Sequence, residues 1–240
     1  MHTPARKTLS LAFSRGAPAF ARLLLAATLP LCAGAGAQTL ESVSIEGTPV
    51  KLAVPAGYCK LTREAPPGQD LYAAQERMQK GTNLVLLIFG DCGELAKTRS
   101  GGAMPHYGMY LAPLDNGHAS KLPLTLSRGQ AIDEVAKTVP ALDTAAIQKM
   151  SNARTNTEGV SLDKMTSGLL GKDANAVYIG IAANASSGGQ GARFHAVTLI
   201  TFLKSMVVSA HLYAPVEPGA PFDKLWAVQK GQAAALVKAN

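Results

Sequence analysis

The sequence predicts an α+β fold, in which an antiparallel β-sheet carries flanking helices within a single domain. Three observations support this class. Strand-like segments in the first half of the chain alternate with helical ones. Four strand-like segments then follow each other between residues 159 and 213 with short connections, which favour antiparallel hairpins. An amphipathic segment that opens at Pro221 closes the chain.

The first half begins with two strands on either side of the Glu46-Gly47 turn. A helix is expected from about residue 71 to 79, with Asp70 as its cap and Gly81 as its end. An apolar stretch without alternation follows and predicts a strand that is buried on both faces. The strands are predicted at 40–45, 50–54, 84–89 and 107–111, with a short helical segment at 94–98.

In the second half, Ser127 and Gln130 form a capping box that opens a helix, which ends before Pro140. A second helix is expected over 144–154. Pro221 is a favourable first residue for the closing helix. Its predicted core stripe is Phe222, Leu225, Trp226, Ala233, Leu236 and Val237. The four preceding strands are predicted at 159–170, 176–183, 193–203 and 206–213.

Residues 1–37 have the pattern of a cleaved signal peptide, which leaves residues 38–240 as a single globular domain. Four cations precede an 11-residue apolar stretch at 23–33, and Ala35-Gly36-Ala37 offers the small residues of a cleavage site before Gln38. A lipidated Cys32 is disfavoured because Leu31 precedes it. An uncleaved anchor is disfavoured because the apolar stretch is short. We therefore expect a periplasmic or secreted protein.

The charge of the chain argues against a nucleic-acid partner. The formal net charge is +7, from 23 Lys and Arg against 16 Asp and Glu. The leader carries four of those cations, so the predicted mature chain has 19 against 16, or +3. These charges are scattered without a basic run. No later stretch reaches the ~18 apolar residues of a membrane span.

Cys59 and Cys92 are the two cysteines outside the leader, and we predict a structural disulfide between them. Each follows a strand-like segment, so two strand ends of one sheet could meet. Closing a loop of this length stabilises a fold by about 3–4 kcal/mol in the chain-entropy model. Their spacing is not that of a Cys-x-x-Cys redox pair, and thiolate metal sites are not expected in an oxidising compartment.

Met104, His106 and Met109 form the cluster most suggestive of a metal, because thioether and imidazole ligands suit copper. Side chains alternate along a strand, however, so His106 and Met109 are expected on opposite faces. His118 is near them only in sequence. The residues favour an ordinary strand entry, and no metal, cofactor or catalytic residue is predicted.

His195 and His211 lie on adjacent strands of a predicted hairpin. If Lys204-Ser205 is the turn, His211 pairs with Thr198 and the two imidazoles face opposite sides of the sheet; a slip of one residue would reverse this.

The glycine-rich segments at 187–191 and 168–173 lack the lysine and spacing of phosphate-binding loops, and are expected to be turns. Asp91 is expected to bind backbone amides at a helix cap or strand end.

Two motifs carry a resemblance to known proteins. Val54-Pro55-Ala56-Gly57-Tyr58-Cys59 and Phe89-Gly90-Asp91-Cys92, followed by a hairpin and a closing helix that ends Lys238-Ala239-Asn240, resemble a group of uncharacterised exported proteins of proteobacteria. The order of elements is also similar to the Mog1/PsbP-type α/β/α sandwich, in which an antiparallel sheet lies between helices. The first likeness implies no known chemistry. The second implies a fold used mainly by binding and accessory proteins.

The sequence thus favours a non-enzymatic exported protein that acts through a small-ligand or envelope-protein surface. Two alternatives stay open. One is a hydrolase. No Gly-x-Ser-x-Gly, Ser-x-x-Lys or His-Glu-x-x-His motif occurs, so its catalytic residues would have to come from distant parts of the chain. Such an enzyme would pair a nucleophile or carboxylate with one of its histidines in a pocket. The other alternative is a copper-handling protein.

Overall fold

The computed structural model describes residues 38–98, 104–155, 160–187, 190–216 and 222–240. The predicted leader lies outside these residues. Over the described part of the chain the predicted class is confirmed, since antiparallel strands form a sheet with helices on both faces. No helix among these residues is long and apolar enough to cross a membrane.

The described residues contain ten strands, five α-helices and one turn of 3₁₀-helix at Val139–Ala141. The strands are β1 Thr39–Ile45, β2 Thr48–Val54, β3 Tyr58–Lys60, β4 Asn83–Asp91, β5 Tyr107–Asp115, β6 His118–Ala119, β7 Val160–Lys172, β8 Val177–Ser187, β9 Gln190–Leu203 and β10 Met206–Pro215. The helices are α1 Gly68–Gln79, α2 Cys92–Thr98, α3 Arg128–Thr138, α4 Thr144–Thr155 and α5 Phe222–Ala239.

The strands form an antiparallel sheet in the order β3-β4-β5-β10-β9-β8-β7, with the short β6 paired to β5. Strands β7 to β10 are consecutive hairpins, as the short connections predicted. Strands β1 and β2 form a separate two-stranded hairpin. Lys204 and Ser205 both have positive φ at the β9–β10 turn, which is the geometry of a tight two-residue hairpin turn.

One face of the sheet, here called the α5 face, is covered by α5 and the β1–β2 hairpin. Leu52 of β2 and Leu236 of α5 are fully buried in the same cluster as Leu199 and Leu212 of the sheet. Tyr110 crosses this layer: its hydroxyl donates a 2.6 Å hydrogen bond to the Ala53 carbonyl of β2. The closing helix, the β1–β2 hairpin and the sheet therefore share one buried layer.

The opposite face, here called the α3 face, is covered in two places. Ile132 of α3 packs with Val177 and Phe202 of the sheet. Tyr72 of α1 packs with Met109 on the β4–β5 side. The predicted capping box is confirmed, because Ser127 accepts a hydrogen bond from the Gln130 amide and Gln130 binds back to the Ser127 amide. The sheet therefore lies between two layers.

Helix α4 covers the edge strand β7. Gln148 and Asn152 donate side-chain hydrogen bonds of 2.8 and 2.9 Å to the Leu162 carbonyl, and Asn152 accepts one from the Leu162 amide. An uncovered edge would leave backbone groups free to pair with another chain. The second sheet edge is β3, which has only three residues.

Three sequence-based details are wrong. Asp70 does not cap α1, because the helix begins at Gly68, whose missing Cβ lets it pack on the Thr62 backbone. Asp70 lies in the first turn instead. Residues 168–172 are strand rather than turn, because β7 continues to Lys172 through a bulge. Cys59 does not follow a strand of the sheet but lies within β3, which the sequence did not indicate.

Candidate functional site: a basic cavity on the sheet

A cavity of about 250 Å³ lies on the α5 face near the first residue of α5. Sheet strands rather than loops position its polar side chains. The lining includes Lys164 and Thr166 of β7, Asn184 of β8, and Arg193 and His195 of β9, with Ala182 of β8 between Thr166 and His195. Its volume suits a small molecule rather than a macromolecule.

The register of three strands brings the polar residues together. Lys164 pairs with Asn184, and Asn184 pairs with Arg193, so the three residues form one row across the sheet. Neighbouring strands lie about 4.8 Å apart, so roughly 10 Å separates the outer two backbones. Side chains of this length can converge on one small anion above Asn184. The row therefore provides two cations with an amide between them.

A second row lies one side-chain repeat further along. Thr166 pairs with Ala182, and Ala182 pairs with His195. Because side chains alternate along a strand, residues two positions apart share a face, so His195 and Arg193 point the same way. Burial lowers the pKa of His195, and the positive charge of Arg193 lowers it further. The imidazole is thus neutral near pH 7 and becomes a cation on acidification.

The cations of the first row are not neutralised by neighbouring acids. Within the described part of the chain, neither Lys164 nor Arg193 forms an ion pair. Asp163, next to Lys164 in the chain, accepts hydrogen bonds from Ser161 and Ser186 instead. Two exposed cations held on one face without a carboxylate favour binding of an anion.

Helix α5 closes one side of this region. Its first residue, Phe222, stacks on His195 with 4.4 Å between the ring centroids. The positive end of an 18-residue helix therefore lies beside the basic cavity, and Asp223 in its first turn offsets part of that positive charge. The helix end thus supplements the two cations, Lys164 and Arg193.

His211 occupies a different setting on the α3 face. The β9–β10 register pairs it with Thr198, and pairs His195 with Ala214, so the prediction that the imidazoles face opposite sides is confirmed. Its Nδ1 lies 2.9 Å from the Thr198 hydroxyl and its Nε2 lies 3.1 Å from the Ser209 hydroxyl. Burial lowers the pKa of His211 to about 4, so the ring is neutral at pH 7.

The other two candidate histidines each contact a carboxylate. His106 Nδ1 lies 2.5 Å from Glu94, whose second oxygen accepts the His106 amide. This ties α2 to the entry of β5. His118 lies 3.3 Å from Glu46. Met109 is buried on the α3 face within β5, and His106 precedes that strand. Among the described residues, no three His, Cys, Asp or Glu side chains form a metal-binding group.

The cysteine pair lies at the β3–β4 end of the sheet. Cys59 and Cys92 have their sulfur atoms 2.00 Å apart, which supports the predicted disulfide. Asp91 accepts a hydrogen bond from the Glu94 amide and so caps α2, which agrees with its expected role.

The register Ser187↔Gln190 puts the connection within segment 187–191 at residues 188–189, which lie outside the described residues.

No family model and no curated protein matches this chain. The resemblance to exported proteobacterial proteins and to the Mog1/PsbP-type sandwich therefore stays a prediction.

The sequence predicted the position of His195 but missed Lys164, Asn184 and Arg193 as site residues. The sequence did contain the information needed to place Arg193. Once the hairpin register places His195 on one face, Arg193 two residues earlier must share it. Lys164 and Asn184 required the β7–β8 register, which a bulge between Leu162 and Lys164 shifts by one residue. That shift decides which face carries Lys164.

Proposed function

We propose that this protein is an exported binding protein of the periplasm or the secreted fraction, and that it binds a small anionic ligand in the basic cavity. The observation that carries the proposal is the Lys164–Asn184–Arg193 row, which places two unneutralised cations and an amide on one face. A disulfide-bonded cysteine pair is consistent with an oxidising compartment. Export by a cleaved leader at 1–37 is part of this proposal.

The proposal is tested by calorimetric titration of the purified protein with inorganic phosphate and with succinate at low ionic strength. We expect binding that Arg193→Gln and Lys164→Gln each weaken about tenfold, because each removes a cation from the row. Lys238→Gln is the matched control, since it changes net charge equally on an exposed residue near the end of α5. Absence of binding for every anion, or an equal loss in K238Q and R193Q, would refute the proposal.

The pH dependence gives a second readout of the same site. Burial and Arg193 hold the pKa of His195 below its ordinary value of 6.5. An anion in the cavity would favour the protonated ring. The affinity for the anion is therefore expected to rise as the pH falls from 7 to below 6.5. His195→Gln should flatten this rise. A profile in H195Q that matches the wild type would exclude His195 from the site.

A hydrolase is the second candidate function; the contacts of His211 favour it, whereas Ser209 is only 7% exposed and does not line the basic cavity. In a neutral imidazole one nitrogen donates and the other accepts. If Nδ1 donates to Thr198, then Nε2 can accept the proton of Ser209, which is the pairing that activates a serine nucleophile. Labelling with a fluorophosphonate probe tests this: modification of Ser209 that His211→Ala abolishes supports it, and an unlabelled protein refutes it.

A further inference from the structure

A second cavity of about 190 Å³ adjoins the basic one. The two share Thr166 and Ala182, so they form one continuous groove on the α5 face. The lining changes along the groove. The basic cavity has Lys164 and Arg193 at its outer end, whereas the second cavity has the apolar side chains of Leu170 and Phe222 together with two glycines.

Two glycines shape the apolar end of the groove. Gly168 pairs with Gly180, so the third row of the α5 face carries no Cβ on those two strands. A Cβ on Gly168 would meet nothing within 4 Å, so this position opens onto empty space. At Gly180 a Cβ would lie 3.0–3.3 Å from the side chain of Leu170, which folds over that glycine and forms an apolar wall.

We propose that the ligand is a small amphipathic anion, with a carboxylate or phosphate head group and an apolar tail. The head would bind the Lys164–Asn184–Arg193 row, and the tail would lie along Gly168 and Leu170 toward Phe222. This inference rests on the proposed function, to which it adds the chemical class of the ligand. Its basis is the change from cationic to apolar lining within one groove.

The tail makes a quantitative prediction. Burying one methylene strengthens binding about fourfold, so affinity should increase by that factor per methylene until the apolar cavity is full. The test is a calorimetric series of acetate, butanoate, hexanoate and octanoate, with the matching alkyl phosphates in parallel. The two series identify the preferred head group. Hexylammonium should not bind, because its head is repelled by the two cations.

The matched variants separate head from tail. Gly168→Leu should fill the apolar cavity and remove the dependence on chain length while phosphate binding is retained. Gly129→Leu is the control, because a side chain there also meets nothing within 4 Å but lies on α3. Circular dichroism and urea unfolding check that both variants are folded. If Gly168→Leu lowers stability, Gly168→Ala provides a smaller probe, which should weaken octanoate more than acetate.

Three outcomes are informative. A rise in affinity with chain length that Gly168→Leu removes supports the inference. Binding of anions with no dependence on chain length overturns it while the proposed function stands. Absence of binding for every anion overturns both.

Discussion

His195 and Phe222 stack with their ring centroids 4.4 Å apart and their planes at 24°. This contact joins β9, one of the two outer strands of the basic cavity, to the first turn of α5. It also contributes to the burial that lowers the pKa of His195. The position of the closing helix and the protonation of the site are therefore linked through one pair of rings.

The first prediction concerns that pKa. Arg193→Gln should raise the pKa of His195, because the repulsion by the guanidinium favours the neutral ring. Phe222→Ala should also raise it, because it re-exposes the imidazole to water. Proton NMR titration of the His195 ring resonances measures both shifts. Lys238→Gln should leave the pKa unchanged, and an unshifted value in R193Q would contradict the assignment of the repulsion to Arg193.

A second prediction concerns acid stability and His211. Its pKa of about 4 in the folded state lies below the unfolded value near 6.5. The unfolded chain therefore takes up the proton first as the pH falls. Stability attributable to the neutral ring is complete above pH 6.5 and is lost between pH 6.5 and about 4, to an extent on the order of 3 kcal/mol.

Urea unfolding at pH 7.5 and pH 4.5 tests this dependence. His211→Gln should be less stable at pH 7.5, because it loses packing beside Tyr213, but its stability should fall less on acidification. His118→Gln is the control, since that side chain is 82% exposed and its loss should not alter the slope. An equal loss of stability with pH in H211Q and the wild type would refute the role of His211.

A third prediction compares two glycines. Gly108 pairs with Phe89, and a Cβ there would lie 2.4 Å from the Phe89 ring and 2.6 Å from the His211 carbonyl. Gly108→Ala should therefore destabilise the fold by about 3 kcal/mol or more, because the backbone carbonyl cannot rotate away. Gly231→Ala, on the exposed side of α5, should stabilise by about 0.5–1 kcal/mol. Urea unfolding measures both changes in the free energy of unfolding, and equal changes in the two variants would contradict the packing around Gly108.

A fourth prediction concerns the disulfide. Replacing both Cys59 and Cys92 by alanine should lower the free energy of unfolding by about 3 kcal/mol, since the crosslink closes a loop between residues 33 apart in sequence. Reduction should destabilise the wild type by a similar amount and leave the double variant unchanged. Intact mass with and without reduction and alkylation provides the direct check. Two free thiols in the native protein would show that the bond does not form.

Much of the fold could be predicted from local patterns. The Ser127–Gln130 capping box and the Lys204-Ser205 turn specify their own geometry, because the interacting groups lie within a few residues of each other. Strand β3 was missed because its three residues have no periodicity to detect. The bulges in β7 were missed for a related reason: what an extra residue does depends on the partner strand, which the local sequence does not contain.

The sequence by itself determined the α+β class, and a turn at Lys204-Ser205 favoured one register of β9 and β10, in which His195 and His211 face opposite sides of the sheet. These follow from side-chain alternation and turn chemistry, which act over short distances along the chain. Only the tertiary structure decided that Lys164, Asn184 and Arg193 form one row beside the start of α5. Their meeting depends on the β7 bulge and on where α5 packs, and both result from burial across the whole sheet.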